Sequence, residues 1–507
     1  MRGPRIVAIL LAAALPLPTS AQLISVRTVP LPRGHQFDFF PSATAAMGGA
    51  SLALGDSLLD PFLNPAKGAR LSAFTAFATP SVYRVTSGAG LGQTLPVGIA
   101  GRAGDWFGAM VLATQQIDLS ERFSADFARR CPLCAAAAIS PATTKPANRY
   151  LHLVAGRRFP DQGLALGVSL AANDLGWLHG VDLLYAGSQS IAQRGSGLDL
   201  RLGALKEWES GRSFAATVVH NRYASTHDVL FLDPVWDPGA ERLDLSPRLD
   251  VNLDRTRVWG LQLEYRQPIP RSEWEIGLVA GGNRLSHPKI PNYVLQSLPR
   301  DPGYSNAFRL GLGAAKRTPD SRTAIELIVE PIRSHTWGEA EGAITTASGG
   351  VIPNGGHTVD NRFRYFDYTV RAGYAKDIPT GSRPDGLTLQ LGVGAHRVGY
   401  TLTQIDFLNH TDRQLRQAWI EWTPTWGATV RLGGVELQYR GSASATRIAN
   451  LFDLSGLGGG GDDVTVLDPG PATVAAPSGP FDMDRLRVTT HQLAISVPLS
   501  GKRGAGR

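Results

Sequence analysis

Arg257 to Arg266 reads RVWGLQLEYR. Taken alternately, one face is Trp259, Leu261, Leu263 and Tyr265, and the other is Val258, Gly260, Gln262, Glu264 and Arg266. Successive side chains of a strand point to opposite sides, so the stretch has one apolar and one polar face. Leucines bracketed by Trp and Tyr are what a strand shows when it crosses a bilayer, with aromatic rings at the two interfaces. A half-buried strand of a soluble sandwich alternates in the same way. The decision rests on how often the pattern returns and on how the strands are joined.

It returns to the end of the chain. Leu164, Leu166, Val168 and Leu170 oppose Ala165, Gly167, Ser169 and Ala171. Leu387, Leu389, Leu391 and Val393 oppose Thr388, Gln390, Gly392 and Gly394. Short connections such as Pro160–Gln162, Glu209–Arg212 and Gly433–Gly434 alternate with long ones such as Ser120–Asn148, Tyr223–Thr256, Thr403–Gln414 and Arg447–Arg485. Outer-membrane barrels have short periplasmic turns and long external loops, whereas a sandwich has no reason to alternate them. The expected fold is all-β: a transmembrane antiparallel β-barrel over residues 71–499. Counting strands from Trp106 gives about fourteen, and sixteen with an earlier pair.

Composition agrees. The chain has 507 residues with Gly 57 and Pro 34, more of both than helix interiors tolerate. No apolar run of the ~20 residues needed for a spanning helix occurs after the N-terminus. Residues 1–21 read as a secretory signal: Arg2 and Arg5, an apolar core from Ile6 to Leu17, then small residues before Gln22. The formal charge of +7 is mild for this length, and no nucleic-acid role is expected. The two cysteines, Cys131 and Cys134, sit as CPLC in an expected loop. In an oxidising compartment they can form a local disulfide, and otherwise both are free thiols.

Residues 22–70 do not alternate. They carry Phe37, Phe39 and Phe40, then Met47-Gly48-Gly49-Ala50, Asp56 and Asn64-Pro65-Ala66. This order, directly after a signal peptide, resembles the N-terminal segment of the FadL/PorV-like outer-membrane proteins. Two positions depart from that pattern: Ser57 stands where a second Asp is usual, and Lys67 separates Ala66 from Gly68. The resemblance implies a barrel of about fourteen strands with residues 22–70 folded inside as a plug. It also implies passage of hydrophobic molecules in the FadL branch, or a part in protein secretion in the PorV branch. The residues themselves are compatible with a packed segment: Ser57 can cap a short helix through Leu63, and Pro65 then stops it.

No motif for catalysis is found. GxSxG and HExxH are absent, no metal site is expected, and no cofactor is called for. The expected lumen face carries Asp199, Arg201, Glu264, Arg266, Arg309, Glu326, Arg371, Glu436 and Arg440. Such charges need water, each other, or the plug as partners. The plug and ligand-path candidates are Phe37, Phe39, Phe40, Met47, Gly48, Gly49, Asn64, Pro65 and Ala66. The leading function is passive uptake of small hydrophobic molecules across a bacterial outer membrane. Expected partners are outer-membrane lipid and the hydrophobic molecule. A PorV-like component handling secretion machinery or secreted proteins is the alternative, with a purely structural barrel behind it; an enzyme is not expected. Residues 500–507 read as a C-terminal tail.

Overall fold

The computed structural model describes residues 40–499 except 73, 86–89, 119–145, 178–189, 238, 240–241, 287–302, 341, 380–385, 433 and 449–486. The expected signal peptide, Phe37, Phe39, Cys131, Cys134 and the tail lie outside the described residues.

Sixteen antiparallel strands close on themselves. β1 is split into Thr75–Ala78 and Ser81–Val85, because Pro80 has no N–H to give to a ladder. Then follow β2 Gly90–Ala103, β3 Trp106–Asp118, β4 Ala147–Phe159, β5 Leu164–Leu175, β6 Ser190–Glu207, β7 Ser213–Asp237 and β8 Arg242–Pro268. The second half is β9 Trp274–Ser286, β10 Gly303–Arg317, β11 Ser321–Glu339, β12 His357–Pro379, β13 Gly386–Asp406, β14 Thr411–Leu432, β15 Val435–Ile448 and β16 Arg487–Pro498. Each strand pairs with the next, and both halves of β1 pair with β16, so the sheet has no free side. The expected fourteen strands therefore become sixteen. The pair before Trp106, weakly patterned because β1 is broken, belongs to the wall.

The wall is built inside out. Leu166, Val168, Leu198, Leu200, Leu202, Leu310, Leu312, Leu389 and Leu391 are exposed, while Ser169, Asp199, Arg201, Thr217, Glu326, Thr388 and Gln390 are buried. A soluble sandwich would do the opposite, so the apolar exterior is the lipid face and the polar face lines the lumen. Trp106, Trp208 and Trp274 stand exposed at the short-turn end, and Trp259 and Trp422 toward the long-loop end. Among the described residues no helix is long and apolar enough to cross a membrane.

Several expected long loops are strand. β7 and β8 stay paired up to Asp237 and Arg242, so Tyr223–Thr256 is mostly a projecting hairpin. Likewise β13 and β14 pair up to Asp406 and Thr411, leaving little of Thr403–Gln414 as loop. The sequence pattern changes there because the strands have left the bilayer and no longer need an apolar outer face.

The register gives a direct check. Leu261 points outward between Trp259 and Leu263, and Gln262 points inward, donating to Glu264 Oε1 at 2.7 Å. Leu261→Arg should destabilise the barrel by roughly 2–4 kcal/mol as a charge near the bilayer midplane. Gln262→Arg should cost much less, since it places a cation beside Glu264. Urea unfolding in lipid vesicles measures both, and equal losses would show the register to be wrong.

Candidate functional site

The lumen face holds the segment 40–70. This segment has too few consecutive residues of one period for a long element. It folds as a turn of 3-10 helix at Ala45–Met47, a short helix at Asp60–Leu63, and a second 3-10 helix at Pro65–Arg70. Its internal hub is Asp56, whose carboxylate accepts from Ala43 N (3.0 Å), Thr44 N (3.1 Å), Thr44 Oγ1 (2.9 Å) and the Ser42 hydroxyl. The same carboxylate accepts from Leu58 N and Leu59 N at 3.2 and 3.1 Å. Asp56, not the expected Ser57, therefore satisfies the amides of Leu58 and Leu59 that lead into the short helix, because a carboxylate offers only acceptors.

Contacts to the wall come from all round the barrel. On β13–β15, Gln390 Nε2 donates to Ala43 O, Gln438 Nε2 donates to Ser42 O, and Thr425 Oγ1 donates to Ala46 O, at 2.8–2.9 Å. On β11, Glu326 accepts from Ser51 N and Leu52 N, and it is paired with Arg371 of β12 at 2.8 Å. Across the lumen on β6, Arg201 donates to Phe62 O and Leu63 O while ion-paired to Asp199 at 2.7 Å. Asn64 Nδ2 donates to Ala216 O on β7 at 3.2 Å, and its Oδ1 accepts from Ala66 N at 3.0 Å.

Close approach explains the glycines. Gly48 has φ +72, which favours glycine, and a Cβ there would meet Val393 O and Ala372 O at 2.8 and 2.9 Å. Met47 lies against Gly373 and Gly392, and Pro65 against Gly167. Phe40 stacks on Phe62 with ring centroids 4.6 Å apart, and His152 of the wall meets both rings edge-on at 5.3 Å.

The densest electrostatic contact centres on Asp60. Lys67 Nζ is 3.6 Å and Arg266 3.3 Å from its carboxylate, with Arg70 at 3.9 Å. Lys67 Nζ also reaches Glu264 of β8 at 2.6 Å. Asp60, Lys67 and Arg266 are all buried. Burial alone would raise the Asp60 carboxyl, but Lys67, Arg266 and Arg70 outweigh it and hold the group below the usual carboxylate range. Lys67, which separates Ala66 from Gly68 in the sequence, thus joins Asp60 and Leu52 in tying the segment to β8.

Of the expected lumen charges, Asp199, Arg201, Glu264, Arg266, Glu326 and Arg371 gather around the segment, directly or through a partner. Arg309 pairs instead with Glu330 at 3.5 Å, and Glu436 with Arg431 at 2.9 Å. Arg440 lies on the lumen face of β15. Among the described residues no cluster of His, Cys, Asp and Glu could hold a metal.

A second feature lies toward the long-loop end of the same lumen. Phe363 and Tyr365 of β12, Tyr400 and Leu402 of β13, and Leu415 and Trp419 of β14 form a buried apolar cluster. Tyr365 and Tyr400 have ring centroids 5.8 Å apart. Here the strands invert their phase: Phe363 and Tyr365 point inward while Arg362 and Arg364 are exposed. Nearer the turns of the same strand, Val370 and Tyr374 are exposed and Arg371 points inward.

A sixteen-stranded barrel with an apolar exterior and a polar lumen is of the outer-membrane type. No protein-family model matches the chain, and no curated protein matches it. Among solved structures it is similar to a bacterial polysaccharide outer membrane secretin, at 6% identity and TM-score 0.40 over 85% of this chain and 99% of that one. It is also similar to the Pseudomonas putida toluene transporter TodX, at 11% identity and TM-score 0.34 over 89% of this chain and 96% of that one. At these values the likeness reaches the barrel architecture and nothing finer.

Proposed function

We propose that the protein is a bacterial outer-membrane channel for passive uptake of small hydrophobic molecules, with residues 40–70 as its plug. The observation that carries this is the apolar cluster of Phe363, Tyr365, Tyr400, Leu402, Leu415 and Trp419, which faces the lumen between the long loops and the plug. These side chains are at most 8% exposed and pack against one another, so a hydrophobic molecule enters the cluster by parting them. Such a molecule gains roughly 25 cal/mol for each Å² of apolar surface it buries there. The plug bars a free aqueous path and is held by polar contacts that can be exchanged for water.

Where β1 breaks, an outward groove of about 780 Å³ is lined by Pro80, Val82, Leu95, Tyr439 and Leu493. Pro80 and Pro96 both lack an N–H, so the ladder there is thin, although Thr79 N still reaches Pro96 O at 3.0 Å.

Organic extraction of the purified protein, followed by mass spectrometry, tests the reading. The parent should release a bound apolar small molecule. Phe363→Arg, which puts a charge into the cluster, should lose it. Equal recovery from both would leave the cluster as packing alone and remove the main support for hydrophobic uptake.

A further inference from the structure

Above the apolar band, the outer wall of β9–β12 carries a row of directly opposed side chains. Arg284 faces Asn306, Asn306 faces Arg333, and Arg333 faces Arg364. All three arginines are exposed, on the outward face. Strands lie about 4.8 Å apart, so the row spans roughly 14 Å. Like charges directly opposite each other across a strand pair are unfavourable, yet Arg333 and Arg364 sit so. Among the described residues no carboxylate is within ion-pair distance of any of the three. Arg362, one outward position further up, is already held by Asp360 at 3.0 Å and is not free to join them. Arg284 lies over the Tyr304 ring, 5.5 Å from its centroid.

The arrangement recurs on the neighbouring strands. Arg222 of β7 directly faces Arg257 of β8, with Arg222 Nε reaching only the neutral-capable His220 Nε2 at 3.2 Å. The opposite rim differs. Two of its outward cations have carboxylates beside them, Lys316 with Glu273 at 3.4 Å and Lys376 with Asp320, whereas Arg157 and Lys206 lie over aromatic rings.

Below the arginine row, on the same strands, the wall is concave. Leu278 and Ala280 of β9, Leu310 and Leu312 of β10, and Leu327 and Val329 of β11 line an apolar groove of about 470 Å³. Ala280 lies four residues, or roughly 13 Å along the strand, from Arg284. Its small side chain leaves the hollow between the leucines.

We infer that this face is a binding site for a phosphate-bearing lipid of the long-loop leaflet, its phosphate on Arg284, Arg333 and Arg364 and an acyl chain in the groove. Guanidinium forks suit phosphate oxygens bidentately. An anion between opposed arginines removes the repulsion that the bare row carries. An ordinary choline lipid offers the groove the same chain, but its headgroup brings no net negative charge to the row. The inference rests on the membrane orientation of the barrel and is independent of what passes through the lumen.

The test uses the full-length barrel purified in an uncharged detergent and titrated with dioleoyl phosphatidic acid, with bound lipid counted by native mass spectrometry. The parent should hold phosphatidic acid in preference to dioleoyl phosphatidylcholine. Arg333→Gln with Arg364→Gln should weaken phosphatidic acid at least about tenfold, the scale of losing charge-assisted hydrogen bonds. Lys316→Gln with Lys376→Gln, which removes the same charge from the other rim, should leave binding within twofold or so of the parent. Ala280→Phe, which fills the groove, should weaken phosphatidic acid as well. Inorganic phosphate at the same concentration should not displace it.

Four results would each overturn the inference: unchanged binding in the double arginine variant, equal loss in the lysine variant, no preference over phosphatidylcholine, or displacement by phosphate alone. Each variant is first run boiled and unboiled on a denaturing gel. A missing mobility shift in the parent would count against the barrel itself, separately from the lipid site.

Discussion

Removal of residues 22–66 should leave a folded barrel that passes small polar solutes far faster than the parent. The wall needs none of these residues for its ladder, since the first strand begins at Thr75 and closes against β16. What the deletion removes is the material that meets Gln390, Thr425, Glu326, Arg201 and Arg266 from opposite sides of one lumen. A sixteen-stranded barrel without such filling is wide enough for an aqueous channel. Liposome swelling in sugars of graded size measures the gain. A deletion variant that shows the boiled–unboiled gel shift and still conducts no better than the parent would mean that the segment closes nothing.

Asp60→Asn should loosen the same segment without unfolding the wall. The change leaves Arg266 buried with no carboxylate of the segment opposite it. Breaking one partner of a buried ion pair costs about 3–5 kcal/mol. The sign with pH follows from the held-down Asp60 carboxyl. A carboxyl depressed in the docked state stabilises docking above its free pKa of about 3.9, and that stabilisation is lost as pH falls through the depressed value. Docking should therefore be tight at neutral pH and weaken only below about pH 4. In Asp60→Asn this acid step should shrink to what the Lys67–Glu264 pair contributes, with docking already weak at pH 7. Protease cutting within residues 40–70, followed against pH, reads both. A variant as protected as the parent at pH 7 would show that the ion cluster does not hold the segment.

The barrel was legible because a bilayer imposes the same period on every strand. Trp259, Leu261, Leu263 and Tyr265 carry that period by themselves, and so do Leu198, Leu200 and Leu202. What the pattern hid lies where the bilayer ends. In β12, Arg362-Phe363-Arg364-Tyr365 alternates as cleanly as any spanning stretch but in the opposite phase. Val398, Tyr400 and Leu402 of β13 do the same relative to Leu389, Leu391 and Val393. Such an inversion lies inside an expected strand without marking which of its faces meets the lumen. Following the phase along each strand would have found both the lumen cluster and the outer arginines.

Residues of the segment were legible in a different degree. Asn64, Pro65 and Met47 stand out by type and order. Asp60 does not, and Lys67 stands out only as a departure from the pattern, because the roles of both depend on Glu264 and Arg266, some two hundred positions away. Gln390, Thr425 and Gln438 look like ordinary lumen polar residues, and only the closed barrel brings them onto the carbonyls of residues 42–46.

The most direct test of the central claim compares two solutes of similar size crossing vesicles that contain the parent protein. One is apolar, such as a labelled alkylbenzene, trapped on arrival by an internal acceptor, and the other is a sugar. Both are corrected for flux through protein-free vesicles. A plugged channel with an apolar cluster on its lumen wall should speed the apolar solute well above the bare vesicle rate and leave the sugar excluded. Sugar entry with no gain for the apolar solute would contradict the account.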